Sequence, residues 1–365
     1  MDKKAKEISR RLAAWYHKAK RDLPWRNTSD PYSILVSEVM LQQTTVSVVE
    51  PYYLRFLGAF PDVSALARAH EEDVLRLWSG LGYYRRARLL HAAAKSIVAQ
   101  HDGRVPDNVT TLRGLPGVGR YTAGAVASFG YGKAAPIVEA NSARVLTRLH
   151  AYRGALKGSK TKQALWDFAE ELLPSDNARE HNYALMELGS LICVPVKPLC
   201  ESCPIAFACA AHVNNLTDSI PPASPKPAKI SVHFAGVVTE RDGRYLVRRI
   251  PEGEWHHGLY EFPKITISAK TSCKKAREML GDLVHLYGSC IDPAPCMSIK
   301  YTVTHHRVTL QVWRAYVKTA DVVCDYPDIL SWVSAEKLRK LPFGSAQKKI
   351  VKLITGRLDS LNTES

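Results

Sequence analysis

The sequence has no apolar run long enough to span a bilayer as a helix, so no membrane partner is expected. Its first residues, MDKKAKEISRRLAAWYH, carry lysine and arginine but no signal-type apolar core. They read as an amphipathic helix at the start of a cytosolic, intracellular protein. No internal repeat is present, which sets aside solenoid and propeller architectures. Negative charge is in short supply, with 35 Asp and Glu against 50 Lys and Arg, a formal net charge of +15. The deficit is shared, since residues 216–365 carry a net +7 and the residues before them +8. A basic surplus on both halves suits a polyanion such as nucleic acid, although it also serves solubility. Eight cysteines in a cytosolic chain argue against a disulfide scaffold.

What is present divides into two parts. A chain of 365 residues is long for one core, so two domains are expected. Residues 1–213 are rich in helix formers. Apolar side chains recur three and four apart at Ile34, Leu35, Val39 and Leu41, at Val74, Leu75 and Trp78, and at Ala123, Val126 and Ala127. Asp30-Pro31 predicts an N-cap followed by proline at the first helical position. Residues 214–229, NNLTDSIPPASPKPAK, hold four prolines and read as a linker. Beyond it SVHFAGVV, RYLVRR, GLYEFP and YTVTHHRVTLQVWRAYV predict strands, with short helices near Ser334–Lys340 and Ser345–Leu353. The expected fold is multidomain, an all-α domain tethered to a smaller α+β domain over residues 230–357.

Cys193, Cys200, Cys203 and Cys209 follow the spacing C-x6-C-x2-C-x5-C among Pro195, Pro198 and Pro204. Four thiols in so short a loop predict a metal or cluster site, and the ligands suit either zinc or a [4Fe–4S] cluster. Cys273, Cys290, Cys296 and Cys324 are scattered and read as small hydrophobes. Leu115-Pro116-Gly117-Val118-Gly119 predicts a tight turn between two helices. Its glycines permit positive φ and close backbone approach, and its amides lie at a helix start where a phosphate can bind. Such a turn holds DNA by its backbone without reading sequence. Glu38 sits in the apolar stretch ILVSEVMLQQ, where burial raises a carboxyl pKa unless it is paired, for instance with Arg26. Glu139, in IVEANSARVL, is either a helix-entry charge or a carboxylate held for chemistry.

The hairpin Leu115–Gly119, the Glu139/Asn141 segment about twenty residues on and the four-cysteine loop occur in an order that resembles the endonuclease III superfamily of helix-hairpin-helix DNA glycosylases. SEVMLQQTTV, LWSGLGYYRRARLL and NYALMELGSLIC are similar to the MutY-type adenine glycosylases within it, and the likeness covers nearly the whole chain. The resemblance implies one [4Fe–4S] cluster on Cys193, Cys200, Cys203 and Cys209. It implies a DNA-backbone contact at Leu115, Gly117, Val118 and Gly119. It implies a monomer that flips adenine from duplex DNA, where adenine faces 8-oxoguanine or guanine, and hydrolyses its glycosidic bond in base-excision repair.

By the same likeness Glu38 protonates the leaving adenine and Glu139 stabilises the sugar cation, helped by Tyr121 and Asn141. The family usually has Asp at the second position within Asp-Gly-Asn, whereas this chain has Glu139-Ala140-Asn141, a longer arm beside a less permissive residue. Tyr121 stands where the lyases of the superfamily carry a Schiff-base lysine, so hydrolysis without a lyase step is implied. Arg26, Leu41 and Glu187 would line the adenine pocket. Gln43, Thr44, Leu81 and Tyr83 would fill or flank the 8-oxoguanine side. The C-terminal part resembles a Nudix domain, implied to recognise 8-oxoguanine through Val303-Thr304-His305, where the family has Phe-Ser-His. It keeps Arg277-Glu278 of the Nudix helix but lacks the Glu pair that would follow, so metal-dependent hydrolysis is not expected. The rivals are an endonuclease III-like lyase and a lesion-binding protein slowed by Glu139.

Overall fold

The chain opens with α1 (Lys3–Ala19), capped by Asp2, whose carboxylate accepts the Ala5 amide at 2.7 Å. The Asp30-Pro31 pair does what the sequence predicts. Asp30 accepts the Ser33 amide at 2.8 Å and Pro31 occupies the first position of α2 (Pro31–Leu41). In the computed structural model, which describes residues 2–156, 158–223, 228–283, 290–317 and 330–361, ten further helices complete the sequence up to the proline-rich stretch. They are α3 (Val46–Ala59), α4 (Val63–Arg68), α5 (Glu71–Trp78), α6 (Arg85–Gln100), α7 (Val109–Arg113), α8 (Arg120–Tyr131), α9 (Ala140–Leu149), α10 (Ser159–Leu172), α11 (Ala178–Leu191) and α12 (Ala210–Val213). No helix among the described residues is long and apolar enough to cross a membrane.

The described chain divides into two compact units, and the division is not sequential. The first comprises Met1–Arg68 and Leu89–Pro225, the second Ala69–Arg88 and Lys226–Ser365. In the first, α2 packs on α8, α9 on α11 and α11 on α1. Helix α2 is buried on every side from Ile34 to Met40, so Glu38 is carried into the core with its neighbours. Asn182 of α11 donates to Ser128 of α8 and to the Ala135 carbonyl, both at 2.9 Å, and Phe129 stacks on Tyr183 with centroids 3.9 Å apart. Gly189 is where α11 meets the start of α9. A Cβ there would lie 2.7 Å from the Asn141 carbonyl oxygen, so only glycine permits this approach.

The proline-rich stretch is tether only in part. Ile220 is buried and its carbonyl accepts Arg148 Nε at 2.8 Å, so residues 214–220 continue the first unit. Residues 224–227 lie outside the described residues.

The second unit is built on a mixed sheet. Its strands are β1 (Ile230–Arg241), β2 (Arg244–Arg249), β3 (Tyr260–Glu261), β4 (Lys264–Ile267), β5 (Cys290–Ile291), β6 (Met297–Val303), β7 (His306–Tyr316) and β8 (Leu330–Ser334). The path runs β3-β2-β1-β7-β5, with β1 and β7 parallel at its centre and β4, β6 and β8 paired antiparallel to β1, β7 and β2. Because strand side chains alternate, Val238 and Val247 face one core with Phe262, Phe343 and Ile350. Val237 and Leu246 face another with Ala276, Leu280 and Trp313. Helix α13 (Cys273–Leu283) covers the second face, and α14 (Ala335–Lys340) and α15 (Ser345–Leu361) cover the first. The run YTVTHHRVTLQVWRAYV is therefore two strands, turning at Thr304-His305 with Thr304 at φ +53°. Helix α15, of 17 residues, runs beyond the expected end at Leu353. Cys273 and Cys296 are exposed rather than packed as hydrophobes, whereas Cys324 and the side chain of Cys290 lie outside the described residues.

Asp30→Ala removes the cap of α2 and is expected to lower stability by about 1 kcal/mol, read as a shift in the urea midpoint at constant m-value. An unchanged midpoint would show that the cap does not hold the helix that carries Glu38.

Candidate active site

One cleft of the first unit gathers residues from five places in the chain. Arg26, Glu38, Leu41, Gln43, Thr44, Gly117, Gly119, Tyr121, Glu139, Asn141 and Glu187 all line it, together with Trp25, Gln42, Tyr183 and Met186. Its electrostatics turn on which carboxylates find cations. Glu187 is fully buried, and its two oxygens accept four hydrogen bonds. Oε1 takes the Arg21 amide at 3.1 Å and Arg21 Nε at 2.7 Å, and Oε2 takes Arg21 Nη2 at 2.9 Å and Arg26 Nη2 at 2.5 Å. Burial alone would raise its pKa, but the hydrogen bonds from Arg21 and Arg26 hold it down to about 2. Glu187 is thus neither a solvated face charge nor an unoccupied acceptor. It is the anchor that fixes Arg26.

Among the described residues Glu38 forms no ion pair within hydrogen-bonding distance, and Arg26 acts on it only as a nearby charge. Arg26, the cation the sequence offered it, is hydrogen-bonded to Glu187 instead. Burial pushes Glu38 up to about 7, the Tyr121 hydrogen bond opposes this, and the nearby Glu139 charge adds to it. The Tyr121 hydroxyl donates to Glu38 Oε2 at 2.6 Å, which leaves the other oxygen to carry the proton. Tyr121 cannot ionise in exchange, because burial, then Glu38 and Glu139, raise its pKa well above the ordinary phenol value.

Glu139 is a helix-entry charge that also lines the cleft. It is the N-cap of α9, with Oε1 accepting the Ser142 amide at 2.7 Å and Oε2 the Asn141 amide at 2.8 Å, while Ser142 Oγ accepts the Glu139 amide at 2.8 Å. The longer arm of Glu therefore reaches both amides. Ala140 is the first residue of the helix, so no left-handed backbone is required where the family has glycine. Burial raises the Glu139 pKa, and the two backbone amides and Arg144 oppose it.

Sequence reasoning missed Arg144 and Arg148. They stand one turn apart on a stretch of α9 buried from Ser142 to Leu149, where an arginine needs a partner. Arg144 donates to Asn141 Oδ1 at 3.0 Å, to the Gly189 carbonyl at 2.6 Å and to the Cys193 carbonyl at 2.6 Å. Arg148 donates to the carbonyls of Val194 at 2.8 Å and Pro195 at 3.0 Å, and reaches Cys193 Sγ at 3.4 Å. One helix thus ties the carboxylate site to the cysteine loop.

Cys193, Cys200, Cys203 and Cys209 line one cavity with Arg148, Ile192 and Leu199. All four are free thiols, and burial pushes Cys203 up to about 12. Among the described residues no three metal-ligating side chains converge tightly enough to hold one ion. Four thiols facing one cavity are a donor set that suits either a cluster taking one ligand per iron or a tetrahedral zinc.

The hairpin joins α7 to α8. Gly117 needs its φ of +75°, and a Cβ there would come within 2.7 Å of Leu89. Gly119 does not share that requirement. At φ −84° it is the N-cap of α8 with open space beside it, so it leaves the helix end uncovered. Leu115 and Val118 are buried and hold the turn from beneath, and Arg120 lies over the Trp166 ring at 4.1 Å.

The remaining candidates belong to the second unit. Leu81 and Tyr83 follow α5, Leu81 buried and Tyr83 46% exposed. Thr304 and His305 form the β6–β7 turn, with Thr304 Oγ1 at 3.4 Å from His305 Nδ1. Val303 leaves that turn without the aromatic ring of the family. Exposed Trp255 supplies one nearby, its ring 4.7 Å from that of His306, which lies 4.1 Å from His305.

Residues 36–171 match the family described as HhH-GPD superfamily base excision DNA repair protein, and residues 234–353 match the NUDIX domain. The solved structure of a thermostable thymine-DNA glycosylase superimposes with a TM-score of 0.52 at 32% identity, covering 58% of this chain and 98% of its own. Endonuclease III trapped on DNA gives 0.50 at 22% identity over 59% and 100%, a likeness of fold. The cleft therefore lies in a base-excision DNA repair protein of the helix-hairpin-helix type. Proteins named adenine DNA glycosylase align with it well beyond that domain. The one from Homo sapiens is 31% identical over 95% of this chain and 73% of its own, and the one from Buchnera aphidicola 35% identical over 70% and 74%. That from Mycolicibacterium smegmatis reaches 46% over 53% and 66%. The chain belongs to the adenine DNA glycosylase family.

The pKa of Glu38 carries a stability consequence. Its folded value lies above the unfolded 4.5, so its neutral form contributes stability that is complete below pH 4.5 and lost as pH rises through about 7. Glu38→Gln is expected to match the wild type at pH 4 and to exceed it at pH 9 by up to about 3 kcal/mol in urea titrations. Equal stability at both pH values would mean that Glu38 is not held neutral.

Proposed function

We propose that this chain removes adenine from duplex DNA where it faces 8-oxoguanine or guanine, by hydrolysis without a lyase step. The observation that carries the reading is the pairing of a buried Glu38, hydrogen-bonded by Tyr121 and with its pKa pushed up to about 7, with a capped Glu139 in one cleft. Adenine turned out of the stack enters this cleft. Protonated Glu38 gives its proton to N7, and the bonding pair leaves with the base as the C1′–N9 bond breaks. The sugar is left with an oxocarbenium charge, which the Glu139 carboxylate stabilises. Water adds its oxygen to C1′ and returns a proton to Glu38, leaving an abasic site and free adenine. Tyr121 brings a phenol where a Schiff base needs an amine, so the sugar is not captured by the protein. Arg26 and Leu41 line the base pocket, and Gln43 and Thr44 fill or flank the 8-oxoguanine side. The N-terminus of α8, without a side-chain cap at Gly119, would take a backbone phosphate. Thr304 and His305 contact the damaged base, and the protein acts as a monomer on intracellular DNA.

Cys193, Cys200, Cys203 and Cys209 would hold one [4Fe–4S] cluster, which cross-links the loop that Arg144 and Arg148 tie to α9. Anaerobically purified protein is expected to be brown, with iron and sulfide in equal amounts. A colourless preparation with one zinc per chain would overturn this assignment.

Incubating excess protein with duplex holding adenine opposite 8-oxoguanine, then adding hot alkali, is expected to break the strand at the adenine. The single-turnover rate should fall as pH rises through about 7, because Glu38 loses the proton it must donate. Glu139→Gln is expected to slow it by at least about a hundredfold, and Glu139→Asp to retain most of it. Intact DNA under these conditions removes the reading, and a break without alkali favours a lyase. One observation favours a lesion-binding protein with little turnover, namely that both Glu139 oxygens are already bonded to amides. Tight retention of the duplex with adenine left in place would establish it.

A further inference from the structure

Residues 69–88 lie inside the span that matches the glycosylase family, yet they pack as part of the second unit. They carry a turn, Ser79–Tyr84, whose backbone is unusual. Gly80 at φ +110°, Gly82 at +77° and Tyr83 at +48° are all left-handed. For a tyrosine that conformation is strained, and it persists only where the surroundings dictate it. Here they do. Trp78 Nε1 and Arg86 Nη2 both donate to the Gly82 carbonyl, at 3.1 and 3.2 Å, and the Gly80 amide donates to the Tyr84 hydroxyl at 3.2 Å. The Arg86 guanidinium lies 5.3 Å from the Tyr83 ring centroid and 5.5 Å from that of Trp78. The outcome is an exposed aromatic ring on a stiff support.

The base of that support is gripped from the C-terminal part of the chain. Buried Ser79 donates its hydroxyl to the Phe343 carbonyl, and the Ser79 carbonyl accepts Lys348 Nζ at 2.9 Å. Arg88 donates to the His257 carbonyl, and the Tyr84 ring meets His256 edge-on with centroids 5.5 Å apart. We propose that the C-terminal part of the chain, through Lys348 and Phe343 on Ser79, positions Tyr83 to stack against a DNA base. Lys348 is then a positioning residue that never touches DNA, and the Nudix-like fold contributes to the wedge as well as to any contact of its own with the lesion. The proposal rests on the reading that the protein acts on mispaired duplex.

The test uses the full-length protein and a duplex holding 8-oxoguanine opposite a 2′-fluorinated adenosine that resists excision, with fluorescent 2-aminopurine next to the 8-oxoguanine. Wild type is expected to change the 2-aminopurine emission on binding, by altering its stacking. Tyr83→Ala and Lys348→Met should each lose most of that change, the double variant should lose no more than either alone, and Lys348→Arg should restore it. On a cleavable duplex Lys348→Met should slow single-turnover excision about tenfold with little change in the concentration that half-saturates it. Ser79→Ala gives a second route if Lys348→Met folds poorly. A wild-type signal from both Lys348→Met and Ser79→Ala, or from Tyr83→Ala, overturns the proposal. The emission reads binding alone, so absence of excision by the wild type would sink the enzymatic reading while the wedge is judged separately.

Discussion

The electrostatics of the cleft depend on two buried carboxylates, of which one takes the hydrogen bonds of both nearby guanidinium groups. Arg21 and Arg26 converge on Glu187, and among the described residues Glu38 is hydrogen-bonded by the Tyr121 phenol. Had Arg26 turned to Glu38, both acids would be ionised at neutral pH, and the site would hold two bases and no acid. The segregation instead gives one carboxyl poised near neutrality and another fixed as an anion, an arrangement that suits acid catalysis at physiological pH.

A second constraint concerns α9. A helix start donates amides, and a carboxylate placed there is held by them in one rotamer. Glu139 occupies that position, so its role as cap and its candidate role in chemistry are the same geometry seen from two sides. Arg144 and Arg148 carry the rigidity of this helix to Cys193, Val194 and Pro195. Disturbance of the cysteine loop therefore has a short path to Asn141, through the side chain of Arg144 alone.

Local chemistry was legible in the sequence. Asp30-Pro31 predicts its cap because capping involves neighbours, and Gly117 predicts its turn because left-handed φ is a property of single residues. Partnerships across the chain were not legible. Glu187 finds Arg21 and Arg26 at separations of 166 and 161 residues, and no local pattern marks that choice. Arg144 and Arg148 left a signal, two cations in an apolar helical run, but their acceptors are carbonyls, which a sequence does not distinguish. Gly119 was credited with a conformation that only Gly117 needs, because a G-x-G pattern does not tell which glycine bends the chain.

Ser79 bonds to residues 264 and 269 positions away, so the second unit is not confined to the sequence after the proline-rich stretch. The second unit borrows a helix and a turn from the middle of the first unit's sequence. A chain cut at residue 225 would retain α5 but lose the surface that buries Ser79 and Leu75. Residues 69–88 fall in the first family segment by sequence and pack with the second unit, so joining the C-terminal part to a foreign partner would have to carry them along.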